Sequence, residues 1–130
     1  MNTVSQLSEL HDDAKLVIDI INEKEAVQLD FSADSISWLD AYINQHRNDL
    51  GENDKNVLRD MFGAFVGETI LQNYGGQWDK TESDEWMIVF DNELHTSPFE
   101  MVSEKLDNET SLTHLYQSIP ELFDHNASNN

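Results

Sequence analysis

Apolar residues recur every three or four positions along the first half of the chain, which is the period of a helix that buries one face. The pattern predicts a first helix over about 3–23, with a buried face made of Val4, Leu7, Leu10, Ala14, Val17, Ile18 and Ile21. A second helix is predicted to begin after Ser32, whose hydroxyl suits the N-cap position, and to end at Leu50 with Gly51 as its C-cap.

The third predicted helix covers about 54–73, with Asn53 as its N-cap, and is the most apolar segment of the chain. A helix with so wide an apolar stripe is expected at the centre of the fold. Gly63 and Gly67 lie one turn apart on it. Because each glycine inside a helix costs about 1 kcal/mol relative to alanine, we expect a close packing partner at this pair. The dipeptide 75–76, Gly-Gly, predicts the end of the helix.

The hydrophobic period then changes to that of short strands. The candidate strands are 77–80, 86–90 and 94–96, separated by polar turns. Residues 86–90 are apolar on both faces, which is typical of an interior strand. The simplest arrangement is a three-stranded antiparallel meander with the middle segment at its centre.

Two short helices are predicted after the strands. Ser97, Pro98 and Glu100 form a capping box with proline at the first helical position. Asn108 is the predicted cap of the last helix. The sequence thus predicts an α+β fold with three N-terminal helices, a small antiparallel β-meander and two C-terminal helices. We expect one domain over 1–123 and a disordered polar tail over 124–130.

Charge is the extreme feature of the composition. The chain has 26 acidic and seven basic residues, a net charge of −19 at pH 7. Such a surface repels nucleic acids and anionic membranes, so neither is expected as a partner. It attracts a basic protein, and the attraction weakens with salt. The favoured interpretation is that the acidity serves only solubility, or that the organism's proteins are generally acidic.

Other features bear on location and redox chemistry. No apolar run approaches the roughly 18–20 residues that span a bilayer, and residues 1–6 lack the basic and apolar regions of a secretory signal. The expected location is therefore cytoplasmic. Cysteine is absent, which excludes disulfides and thiolate metal sites.

No motif of nucleophilic catalysis or phosphate binding occurs, so we predict neither catalytic residues nor a cofactor. Glu68 is the most interesting carboxylate because it follows the most apolar turn of the third helix. Partial burial there could make it an acid or base. The favoured alternative is a structural acceptor for the amides at 75–76 or for the indole of Trp78, since a lone carboxylate makes no mechanism.

Asp91, Glu93 and His95 alternate along the chain and would share one face of an extended strand. Oxygen and imidazole ligands in that arrangement are a weak candidate metal site. A polar turn broken at Asn92 is the favoured interpretation, so no metal is predicted.

The three tryptophans, Trp38, Trp78 and Trp86, are not all expected to be fully buried, because each is large and its N–H needs a partner. An exposed tryptophan with an acidic rim is typical of a protein-binding site. These residues and Glu68 are the candidate binding residues. The favoured alternative is that all three rings lie in one core.

Four segments in order, 29–40, 63–70, 74–78 and 97–102, carry a resemblance. The chain resembles a group of small, uncharacterised bacterial proteins in which a helix with a Gly-Glu turn is followed by Gly-Gly-x-Trp, a strand and a Pro-Phe-x-x-Val helix. The resemblance covers about 29–123 and implies this fold and a bacterial origin, without implying catalytic residues. The chain departs from that pattern at Glu100 and Glu104, where basic residues are expected.

Three functional hypotheses follow. The first is a non-enzymatic binding protein, in its sharpest form an intracellular inhibitor or immunity protein for a basic toxin or enzyme. The second is a small-ligand or metal-dependent enzyme that uses Glu68, or Asp91, Glu93 and His95. The third is a structural or regulatory domain that forms a homodimer through the face containing Gly63 and Gly67.

Overall fold

The computed structural model describes residues 3–91 and 94–121, with side chains from residue 6 onward. The elements are α1 (Thr3–Glu25), α2 (Ala33–His46), α3 (Glu52–Tyr74), β1 (Gln77–Lys80), β2 (Trp86–Val89), β3 (His95–Thr96), α4 (Pro98–Asn108) and α5 (Leu112–Gln117). The predicted α+β class and element order are confirmed. Residues 122–130, which include the predicted tail, lie outside the described residues, as do Asn92 and Glu93.

Helix α3 lies at the centre of the molecule, as its wide apolar stripe predicts. Phe65, Val66 and Ile70 of α3 are completely buried. Helices α1 and α4 both pack against α3, and α2 packs against α4 and α5. The buried face of α1 includes Leu10 and Val17, which belong to the predicted apolar stripe. None of these helices has the length and apolar character that crossing a membrane requires.

The start of α3 differs from the prediction. Gly51 is the N-cap of α3 rather than the C-cap of α2, and the predicted cap, Asn53, lies inside the helix. The carboxylate of Asp54 accepts a hydrogen bond from the backbone N–H of Gly51 at 3.2 Å. This interaction satisfies a free amide at the helix end, which allows α3 to begin earlier. Helix α2 ends at His46, and a 3₁₀ turn (Arg47–Asp49) follows where the α-helix was predicted to continue.

The two C-terminal helices begin at serine caps. Ser97 Oγ accepts from the amide of Glu100 at 3.3 Å, and Pro98 is the first residue of α4, as predicted. The last helix is capped by Ser111 instead of the predicted Asn108, and Ser111 Oγ accepts from His114 N at 3.1 Å. Asn108 ends α4 because the next residue, Glu109, adopts a left-handed conformation with φ 59°.

The sheet is an antiparallel meander of order β1-β2-β3, and β2 is its central strand. Lys80 pairs with Trp86 between the first two strands. Side chains two positions apart on a strand share a face. Trp78 and Lys80 of β1 therefore project on the same side as Trp86 of β2. Ile88 is the fully buried residue of β2, so the predicted coverage on both faces holds only in part.

A buried ion pair joins α2 to the C-terminal helices. Lys105 Nζ lies 2.7 Å from Asp40 Oδ1 and 2.6 Å from Asn44 Oδ1. The carboxylate of Asp40 also accepts from the amides of Leu112 and Thr113 at 3.0 and 3.2 Å. Burial raises the pKa of Asp40, but the hydrogen bonds from Lys105 and from these amides outweigh it and hold the pKa at about 2.

Arg47, the first residue of the 3₁₀ turn after α2, adds a second polar link to α4. Its guanidinium donates to the backbone carbonyls of Lys105 and Leu106 at 2.6 and 2.9 Å. These carbonyls belong to the last turn of α4, where no helical amide remains to satisfy them. The positive charge also suits the negative end of the helix dipole.

Candidate functional site: an acidic groove with an aromatic floor

Three aromatic rings from three different elements meet beside α3. The rings of Trp78 and Trp86 are arranged edge to face, with centroids 5.9 Å apart. Trp78 also lies against Phe99 at the start of α4, with centroids 6.0 Å apart. Both separations fall within the favourable range for aromatic pairs. The sheet and α4 are therefore joined through one aromatic cluster, defined by Trp78, Trp86 and Phe99.

The two helical glycines make room for this cluster. A Cβ at Gly67 would lie 2.1 Å from the ring of Trp78, and one at Gly63 would lie 2.3 Å from the ring of Phe99. Only glycine permits such close approach of a ring to the helix. The predicted packing partner is confirmed and belongs to the same chain. The rings of Phe99 and Trp78 cover the face that carries Gly63 and Gly67, so self-association through this face stays a prediction without support from the packing.

Glu68 fixes one ring of the cluster in place. Its Oε2 accepts from the indole nitrogen of Trp78 at 2.9 Å, and its Oε1 lies 2.9 Å from Nδ1 of His11 on α1. Of the two structural partners predicted for this carboxylate, the indole is the one found. The amide of Gly75 donates to the carbonyl of Leu71 instead. With both oxygens engaged, Glu68 links α1, α3 and β1.

Two adjoining surface grooves, of about 400 and 360 Å³, share Trp86, Phe99 and Asp60. We call the pair the acidic groove. Its charged lining consists of the carboxylates Glu9, Asp13, Asp60, Glu85 and Glu100 and the cations Arg59 and Lys80. The floor is aromatic and the rim is predominantly negative. This combination favours a ligand that carries a positive charge and also has a flat or apolar part.

Burial and neighbouring acidic side chains both act on Asp13 in this groove. The pKa of Asp13 is raised by burial and by the nearby charges of Glu9, Asp12 and Asp60. Carboxylates that raise the pKa of one another also stabilise a cation placed among them, because the cation offsets their mutual repulsion. The groove is therefore suited to bind a positive group.

The chain already places one of its own cations over the aromatic floor. Lys80 Nζ lies 4.9 Å from the centroid of Trp86, within the range of a cation–π interaction. The same ammonium group is 3.0 Å from Asp84 Oδ1. Because Lys80 pairs with Trp86 across the strands, the β-register itself brings the charge onto the ring.

Trp38 lies apart from the groove. It stacks on Tyr42 within α2, with centroids 5.1 Å apart, and lines a separate depression of about 280 Å³. The structure thus brings together Trp78, Trp86 and Glu68 from the predicted set and leaves Trp38 outside. The prediction that the tryptophans are not all fully buried is confirmed, because each of the three is partly exposed.

The weak metal candidate does not lie on one strand. Asp91 is in a turn after β2, whereas His95 is the first residue of β3. Glu93 lies outside the described residues. Within 3–91 and 94–121 no three histidine or carboxylate side chains are grouped as metal ligands.

Sequence reasoning raised an acidic rim but identified none of its carboxylates, because they come from α1, α3, the β1–β2 turn and α4. Phe99 stood out only within the capping-box segment and the Pro-Phe-x-x-Val motif, and neither indicates a site residue. The pattern that could have indicated the aromatic cluster was the glycine pair, because two glycines four residues apart in a helix leave space for large neighbouring side chains.

No family model, curated protein or solved structure matches this chain. The resemblance to a group of small bacterial proteins therefore stays a prediction.

Proposed function

We propose that this protein is a non-enzymatic binding protein whose acidic groove takes a basic side chain of a partner protein. In its sharpest form it is an intracellular inhibitor or immunity protein that covers the basic site of a toxin or enzyme. One observation carries the proposal: five carboxylates and two cations line a groove whose floor is the ring pair Trp86 and Phe99.

The chemistry of the groove supports arginine or lysine as the bound group. A cation over a tryptophan face gains about 0.5–2 kcal/mol, and arginine can in addition form paired hydrogen bonds with a carboxylate. Glu85 and Glu100 both line the larger part of the groove beside Trp86. The net charge of −19 adds long-range attraction, which accelerates association with a basic protein.

The engagement of Glu68 favours a binding role over catalysis. Its two oxygens are occupied by Trp78 and His11, so it positions the ring that packs against the floor residues Trp86 and Phe99. A general base has to reach a substrate proton, whereas this carboxylate is directed at the ring that it holds.

The experiment measures binding of a fluorescein-labelled hexa-arginine peptide by fluorescence anisotropy at low and moderate salt. The variant Glu85→Gln/Glu100→Gln removes two charges from the groove. The matched control, Asp19→Asn/Glu23→Gln, removes two charges from exposed positions of α1 that do not line the groove. The control separates a local site from attraction to the whole acidic surface.

We expect the groove variant to weaken binding about tenfold, since each of two contacts is worth about 0.5–1 kcal/mol. The control should stay within about twofold of the original protein, and affinity should fall as salt rises. Equal losses in the two variants would show that the peptide responds only to net charge. That result, or no binding to the original protein, would refute the proposed site.

A further inference from the structure

The acidic groove consists of two halves that meet at its aromatic floor. Trp86, Phe99 and Asp60 line both halves, so they lie at the boundary between them. We call the part of about 400 Å³ the α4 half; its other charged residues are Arg59, Glu85 and Glu100. We call the part of about 360 Å³ the α1 half; its other charged residues are Glu9, Asp13 and Lys80. A ligand that enters both halves therefore has to cross the two rings.

Negative charge is divided evenly between the two halves. Each half has two carboxylates of its own, shares Asp60 and contains one cation. Arg59 donates to Asn56 Oδ1 at 2.9 Å, and Lys80 Nζ lies 3.0 Å from Asp84 Oδ1. Neither of these partners lines the groove. Within 3–91 and 94–121 no ion pair engages the five carboxylates of the groove, so both halves keep negative charge that a ligand can neutralise.

The rings at the boundary offer contact for a cation and for an apolar group. Lys80 Nζ lies 4.9 Å from the centroid of Trp86, so a positive charge fits over this ring. Trp86 and Phe99 are both partly exposed. An aliphatic side chain placed on them would remove apolar surface from water, which is favourable. The groove therefore has the order acidic, apolar, acidic along the path that joins its two halves.

We propose that the acidic groove binds a partner segment with two basic side chains, one in each half, and an aliphatic side chain between them on the rings. This inference rests on the proposed function and specifies the partner. Five carboxylates against two cations leave an excess of three negative charges, so a single bound cation leaves one half uncompensated. Every second side chain of an extended segment points the same way, so the expected partner pattern is basic-x-aliphatic-x-basic.

The test compares peptides with one and two arginines by nuclear magnetic resonance titration of the full chain at low salt. The peptide Arg-Gly-Leu-Gly-Arg has both charges, whereas Arg-Gly-Leu-Gly-Gln and Gln-Gly-Leu-Gly-Arg have one each. Acetylated and amidated ends remove the terminal charges. Once one arginine is bound, the second binds at an effective concentration in the millimolar range. We therefore expect the two-arginine peptide to bind about tenfold more tightly than either one-arginine peptide.

Neutralising either half should remove this preference. Glu9→Gln/Asp13→Asn acts on the α1 half, and Glu85→Gln/Glu100→Gln acts on the α4 half. In each variant the second arginine has no half to enter. The one- and two-arginine peptides should then bind within about twofold of one another, which is the statistical advantage of having two arginines. Circular dichroism verifies that each variant is folded.

The matched control is Asp19→Asn/Glu23→Gln, which removes two charges from α1 outside the groove and should keep the tenfold preference. A preference that survives in either groove variant, or falls equally in the control, would overturn the inference. Equal binding of all three peptides by the original protein would also overturn it; the proposed function would stand if the groove variants weakened that binding. Failure of every peptide to bind would refute the proposed function and this inference together.

Discussion

The indole nitrogen of Trp78 donates a hydrogen bond to Oε2 of Glu68 at 2.9 Å, and the ring of Trp78 covers Gly67, the residue before Glu68 on α3. One helical turn therefore supplies both the space for the ring and the acceptor for its N–H. A tryptophan buried on one side usually needs such a polar partner. Two consecutive residues of the central helix thus hold Trp78, the ring against which the floor residues Trp86 and Phe99 lie.

Removing the acceptor should destabilise the protein. Glu68→Ala leaves the Trp78 indole without its acceptor, and a hydrogen bond to a charged group contributes about 1.5–3 kcal/mol. We expect a loss of about 2 kcal/mol in the free energy of unfolding, and a smaller loss for Glu68→Gln, which keeps one acceptor. Urea unfolding followed by tryptophan fluorescence measures both. His11→Ala, at a half-exposed partner, is the control and should cost less. Unchanged stability in Glu68→Ala would contradict the structural role.

Filling the space at the glycine pair should also destabilise the fold. Gly67→Ala improves helix propensity by about 1 kcal/mol, but the new methyl group would lie 2.1 Å from the Trp78 ring. Overpacking costs about 1–3 kcal/mol or more, so we expect a net loss. Denaturation of Gly67→Ala, Trp78→Leu and the double variant gives the coupling between the two positions. If the ring causes the loss, the double variant is less destabilised than the sum of the single ones; simple additivity contradicts this explanation.

The buried ion pair predicts a pH dependence with a definite sign. The pKa of Asp40 is about 2 in the folded protein, below its ordinary 3.8. Its ionised form is therefore favoured by folding. By linkage, the ionised carboxylate of Asp40 contributes about 2 kcal/mol to the free energy of unfolding. This contribution is complete above about pH 4 and is lost as the pH falls toward 2.

Comparison with Asp40→Asn isolates this contribution from the other carboxylates. The stability difference between the original protein and the variant should shrink by about 2 kcal/mol between pH 6 and pH 2. Asp107→Asn, at an exposed site on α4, should differ from the original protein by a constant amount within about 0.5 kcal/mol. Chemical denaturation at several pH values supplies the measurement. A pH-independent difference for Asp40→Asn would falsify the assignment.

Lys80 should compete with the ligand of the acidic groove. Its ammonium lies over Trp86, on the ring face that a basic side chain would use. Lys80→Met removes a positive charge from the groove and frees that ring, so hexa-arginine should bind about fivefold more tightly, a gain of about 1 kcal/mol. Lys15→Met makes the same charge change at an exposed position of α1 and should tighten binding about twofold at most. Weaker binding by Lys80→Met would show that Lys80 supports the site.

The helices and the central strand were predictable because their signals are local. The apolar stripe of α3 and the pair Gly75-Gly76 define a helix and its end without any knowledge of neighbours. Both glycines adopt positive φ, 84° and 92°, which explains why glycine stands there. The predicted helix caps were in part wrong, because several neighbouring residues are suitable as a cap. Gly51 and Asn53 lie two positions apart, and the carboxylate of Asp54 decided between them.

The candidate site was predictable only in part because its residues meet through tertiary packing. Glu68 and Trp78 are ten positions apart, and their hydrogen bond was one of two structural alternatives. The rim carboxylates Glu9, Asp60 and Glu100 are far apart in the sequence and have no shared pattern. The pairing of Asp40 with Lys105 was equally invisible, since a single acid and a single base at 65 positions' separation carry no periodic signal.

The ion pair also determines when the molecule can complete its fold during synthesis. The carboxylate of Asp40 binds amides that lie 72 and 73 positions further along the chain. When α2 has just emerged from the ribosome, the nascent chain does not yet contain these amides or Lys105. Burying the carboxylate of Asp40 without them is costly. Helix α2 packs against α4 and α5, so it cannot reach its final place while the chain is short. Its docking must wait until translation has passed residue 113 and those residues have emerged.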